Sequence, residues 1–169
     1  MWPRWSVCVG RCVVTAVLIA AAPSASPGSP PRRFLRPPDA KAVALARENA
    51  ARWLQDPECR RVFSEFHDAH GRTIEEKLEA WALDPAEYVR SLPFVDGIGE
   101  SRCHAGKVML VAVVNVPRVF VCPGFARLHR DEPRLATSLV IHEVLHTLGL
   151  GENPPSSAEI TERVQARCR

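Results

Sequence analysis

Apolar positions along this chain change spacing twice. From residue 39 to residue 92 they recur at helical intervals, broken by Asp-Pro and Gly punctuation. Val43, Ala46, Ala50, Trp53 and Leu54 form one stripe, so a helix is expected over Ala40–Leu54 with Asp39 as its cap. Asp56-Pro57 breaks it, and a second helix should run from Glu58 to His67 with Val62, Phe63 and Phe66 turned inward. Thr73-Ile74-Glu75-Glu76 has the spacing of a capping box and should open a helix to about Leu83, with Leu78, Trp81 and Ile74 on its apolar side. Asp84-Pro85 should cap another, through Leu92. Residues 93–106 are turn-rich and show no period. The regime then switches. Val108–Asn115 and Arg118–Cys122 are β-branched and apolar, and they suit two strands of an antiparallel hairpin.

Helical spacing returns after residue 131. Asp131 is the expected N-cap and Pro133 a first-turn residue, while Gly149 and Gly151 should stop the helix. Its interior, Leu135–Ile141, is mostly apolar, which predicts burial. Ser156–Cys168 should form a last short helix, opened by the S-x-x-E spacing of Ser156 and Glu159. The pattern describes an α+β fold of one domain, with several helices packed on a short antiparallel hairpin around a buried helix.

That buried helix carries His142-Glu143-Val144-Leu145-His146, an H-E-x-x-H box. Residues i and i+4 share a helix face, so His142 and His146 can offer two imidazole nitrogens to one ion. Glu143 sits beside that face and can take a proton from a water held there. A glutamate in an apolar stretch, flanked by both histidines, has no ready explanation as core packing. A catalytic zinc usually takes three protein ligands. Downstream candidates are Glu152, Glu159 and Glu162. Glu152 is taken as the third ligand and Glu159 as its rival, since a capping box would occupy the Glu159 carboxylate; Glu162 reads as a solvated helix charge.

The stretch from His142 to Glu152, H-E-V-L-H-T-L-G-L-G-E, resembles the extended motif of the metzincin zinc peptidases. Gly149 falls on the motif glycine and Glu152 stands where the third histidine would be. There is no Met-turn, because Met109, the only methionine besides Met1, lies upstream. The gluzincin peptidases, by comparison, draw a glutamate ligand from a later helix, which would favour Glu159. A zincin-type resemblance implies a small zincin-like domain, one Zn²⁺ per chain, and peptide-bond hydrolysis with Glu143 as general base. It also implies a strand along the cleft that pairs with extended substrate, here expected to be 118–122. Such peptidases often use a tyrosine or histidine to stabilise the oxyanion. Tyr88, His104 and His129 are candidates, each with a simpler reading as a packing or surface residue. His67 and His70, spaced i, i+3, read as exposed residues at a helix end.

Charge and cysteines set the surroundings. The formal net charge is +3; Arg4 and Arg11 are the only charges before residue 26, so the remainder carries +1 and offers no footprint for nucleic acid. Residues 1–25 read as a signal peptide, with the uncharged run Cys12–Ala22 too short for a comfortable membrane span. Residues 26–38 read as a proline-rich linker, and 39–169 as the folded domain. The chain is then expected to be secreted or periplasmic, without a stable membrane span. Cys59, Cys103, Cys122 and Cys168 remain, which suggests two disulfides of open connectivity. The expected function is that of an exported zinc peptidase acting on a peptide or protein. The alternative is a non-enzymatic, disulfide-bonded secreted module with a structural metal or none.

Overall fold

The computed structural model describes residues 34–105 and 108–169, so the expected signal peptide and most of the linker lie outside the described residues. The fold is α+β. Helix α1 spans Pro37–Trp53, followed by the short helices α2 (Pro57–Arg60), α3 (Val62–Glu65), α4 (Ile74–Ala80) and α5 (Pro85–Ser91). Strand β1 (Phe94–Asp96) leads to a 3-10 turn (Ser101–Ala105), strands β2 (Leu110–Ala112) and β3 (Val119–Val121), and helices α6 (Phe125–Asp131), α7 (Pro133–Thr147) and α8 (Ser157–Arg167).

Most helix starts follow their capping chemistry. The Thr73 and Ser156 capping boxes both form, and the Asp84 side chain accepts from the Ala86 and Glu87 amides. Two starts differ from expectation. Helix α1 begins at Pro37, whose fixed φ suits a first turn, so Asp39 lies inside it. There the buried Asp39 carboxylate bonds Arg36 and reaches the Ala126 amide in α6, pinning α6 to α1. Asp131 closes α6 and caps nothing; the N-cap of α7 is Glu132, with no side-chain cap bond. The expected single helix over 58–67 is split into α2 and α3 and stops at Glu65. His67 pairs with Thr73 in an isolated bridge, and His67 and His70 are exposed loop residues.

The hairpin is real but belongs to a three-stranded mixed sheet of order β1-β3-β2. β2 and β3 pair antiparallel, with Val111 opposite Phe120, while β1 runs parallel to β3, Val95 opposite Phe120. β3 is therefore the central strand and has no free edge, which corrects its expected place along a cleft; the edge strand beside α7 is β2. The apolar run continues past β2, but Val113 and Val114 enter a turn closed by Val116 N–H on the Val113 carbonyl at 2.9 Å. Asn115 holds the left-handed conformation there, φ 63°.

Helix α7 is the centre of the core. It packs on α1, α6, α8 and both strands of the hairpin, and from Val140 to Thr147 every residue is buried. Among the described residues two disulfides close the periphery. Cys59–Cys168 ties the end of α8 to α2, and Cys103–Cys122 ties the 3-10 turn to the end of β3. A Cβ at Gly97 would lie 2.6 Å from the Cys103 sulfur, so only glycine lets the 3-10 turn dock this closely.

Candidate metal centre

The C-terminal end of α7 builds the site. The helix ends in a paired capping turn: Gly149 N–H bonds the His146 carbonyl and Leu150 N–H bonds the Leu145 carbonyl, both at 3.0 Å. Gly149 has φ +115°, and an added Cβ would crowd Asn115, Lys77 and Asp68 at 3.0 to 3.3 Å. Glycine is thus required twice, by backbone sign and by space. The turn does two things for the chemistry. It swings the Leu150 carbonyl onto His146 Nδ1 at 2.7 Å, and it brings Glu152 back over the helix end.

A carbonyl can only accept, so His146 Nδ1 carries the proton and its Nε2 presents a lone pair. His142 Nδ1 meets the Thr161 hydroxyl of α8 at 2.9 Å, which aims its own Nε2 at the same point. The two Nε2 atoms are 3.0 Å apart, and Glu152 Oε1 stands 3.3 Å from that of His146 and 3.7 Å from that of His142. Metal–ligand bonds of about 2.0–2.2 Å put the donors of a tetrahedral site about 3.3–3.6 Å apart. The observed triangle brackets that spacing, so the donor set fits one small divalent ion.

Protonation favours the same use. Burial, aided by the neighbouring His146 ring, pushes His142 down to about 3, so it is neutral and ligand-competent. Glu143 is buried, with 8% of its surface exposed, and its Oε2 accepts the Ala112 amide of β2 at 2.6 Å. Burial raises its carboxyl to about 7; the Ala112 bond and Arg102 pull it down and Glu152 pushes it up. A carboxyl poised near neutrality can both take and return a proton.

Of the expected site residues, His142, His146 and Glu152 are brought together, and the Glu143 carboxylate lies against the Ala112 amide. Glu159 spends its carboxylate on the Ser156 amide and hydroxyl at 2.7 and 2.8 Å, and Glu162 is exposed. Tyr88 is buried and its hydroxyl bonds Thr147 Oγ1 at 3.0 Å. Since Thr147 already donates to the Val144 carbonyl, Tyr88 is the donor and its phenol is committed to packing. His104 bonds the Ile98 carbonyl, and His129 lies on α6. Thr161, Ala112 and Arg102 had no signal in the sequence, because their roles come from contacts across 10 to 31 residues of chain or through a backbone atom. Comparison with family models, with curated proteins and with solved structures finds no match for this chain.

Proposed function

We propose that this chain is an exported zinc-dependent peptidase of zincin type, with His142, His146 and Glu152 as metal ligands and Glu143 as general base. The observation that carries the reading is the triangle of donor atoms, 3.0, 3.3 and 3.7 Å on a side, with an acid–base carboxylate on the residue next to the first ligand. Zn²⁺, when bound, polarises a carbonyl and lowers the pKa of a coordinated water to about 7.

The chain's own groups supply the rest. Glu143 accepts a proton from the attacking water as the water oxygen bonds to the carbonyl carbon. It delivers that proton to the nitrogen as the C–N bond breaks. Thr161 and the Leu150 carbonyl fix the two imidazoles. The sheet edge next to Glu143 is β2, where the Ala112 amide and carbonyl are taken by Glu143 and Arg102. The Glu159 carboxylate is held in its capping box, so among the described residues the donor set stops at three, as suits a catalytic site more than a closed structural one. Two disulfides suit an oxidising compartment, and no helix among the described residues is long and apolar enough to cross a membrane.

The test is cleavage of a peptide library by the zinc-loaded protein and by Glu143→Gln. Turnover should fall by about 10²- to 10⁴-fold in the variant, with zinc stoichiometry unchanged. Turnover that survives the substitution would remove Glu143 as the base. A folded, zinc-loaded wild type that cleaves nothing would favour the non-enzymatic module.

A further inference from the structure

We propose that Arg102 is the cationic donor of this site, supplying the charge-assisted hydrogen bond for the oxyanion that develops on the substrate carbonyl; the inference rests on the peptidase reading. Tyr88 is spent on Thr147 and His104 on the Ile98 carbonyl, while His129 Nε2 is buried on α6 without a hydrogen-bond partner among the described residues. Arg102 stands next to Glu143, linked to it through Ala112. Its Nη1 donates to the Ala112 carbonyl at 3.1 Å, while the amide of the same residue donates to Glu143 at 2.6 Å.

These two contacts use the outward-facing groups of a single edge residue. Cys122 N–H bonds the Met109 carbonyl, so by alternation Val111 faces β3 and Ala112 faces away from it. The guanidinium and the general base therefore sit side by side on the sheet edge, separated by one residue of backbone. Both edge groups of Ala112 are thereby occupied, so a substrate carbonyl would meet the two side chains and not the strand backbone.

The position of Arg102 is built. Glu100 Oε1 accepts from its Nε at 3.1 Å, and the next residue, Cys103, is bonded to the end of β3. Gly97 lets that turn dock without a clash. Among the described residues these bonds take two of the five guanidinium N–H groups. The side chain is half exposed, so the remaining donors are open to a ligand. A planar fork with donors to spare is suited to a carboxylate-like or tetrahedral oxyanion.

Inorganic phosphate, a tetrahedral oxyanion, is the probe that needs no turnover. Its affinity is measured from the visible spectrum of the Co²⁺-loaded full chain, for wild type, Arg102→Gln and Arg102→Lys. The glutamine variant should bind phosphate about 10- to 100-fold more weakly, with the lysine variant between, while cobalt stoichiometry and the ligand-free spectrum stay the same. In peptide cleavage the glutamine variant should lose about 10²-fold or more in kcat with KM little changed. Equal phosphate affinity in all three metal-loaded proteins overturns the role of Arg102 and leaves the metal site standing. An altered cobalt spectrum in the glutamine variant would mean that Arg102 only supports the fold, and also overturns it. A wild type that takes up no metal removes the peptidase reading and this inference together.

Discussion

Two walls flank the end of α7, and they are built alike for different purposes. One is α8, which meets His142 through Thr161 and is anchored to α2 by Cys59–Cys168. The other is the 3-10 turn with β2, which meets Glu143 through the Ala112 amide and is anchored to β3 by Cys103–Cys122. In the proposed reading the first wall orients a ligand and the second orients the proton carrier. In this account affinity for metal and rate of turnover are separable properties, each with its own disulfide.

Removing the disulfides is the harshest way to break the comparison. Cys59–Cys168 spans 109 residues and Cys103–Cys122 spans 19. Chain entropy assigns about 4.7 kcal/mol to a loop near the first length and about 3 kcal/mol to one near the second. Denaturant titration of Cys168→Ser and Cys103→Ser should rank them in that order. Cys168→Ser should also weaken zinc binding, whereas Cys103→Ser should keep zinc and lose turnover. The reverse assignment would show that the walls are not specialised.

Thr161→Val is the sharper cut on the ligand side. Loss of a ligand's outer hydrogen bond typically costs 10- to 100-fold in metal affinity, so competition with a chelator should show a drop of about that size. Glu143→Gln, which faces the other wall, should leave the affinity where it was. Gly149→Ala strikes the turn beneath both. The left-handed backbone alone should cost about 1–2 kcal/mol, read as a lowered midpoint in urea, with added crowding against Asn115.

The smallest effect is the pH dependence of the metal-free protein, because the walls oppose each other. Glu143 is raised from 4.5 to about 7, so its contribution is full below pH 4.5 and lost as pH rises through 7. His142 is lowered from 6.5 to about 3, so its contribution is full above pH 6.5 and lost as pH falls through 3. Between pH 4.5 and 6.5 the slopes cancel in part. Urea titrations in chelator should show wild type nearly flat there and Glu143→Gln gaining stability as pH rises. A flat variant would mean that His142 is not held neutral.

What the sequence revealed tracks how local the cause is. The capping boxes at Thr73 and Ser156, the glycine stop at Gly149 and the H-E-x-x-H spacing act within five residues, and all appear where expected. The place of Glu152 beside the two histidines was readable because the glycine turn that returns it lies just after the second histidine. The misses have longer range. β1 is three residues in a Pro- and Gly-rich stretch, and only its parallel pairing with β3 makes it a strand. Without it, β3 passes for an edge. α6 is too short to show a period, and the buried Asp39 that reaches its Ala126 amide lies 87 residues upstream. The disulfide pairing, left open by the sequence, follows from which helix and strand ends meet.

The central claim is that His142, His146 and Glu152 hold one zinc. Its most direct test is the metal content of the purified protein by mass spectrometry, for wild type and His146→Ala. The account predicts one zinc per chain in wild type and none in the variant, with both folded. Wild type that stays metal-free after reconstitution, or a variant that keeps its zinc, would contradict it.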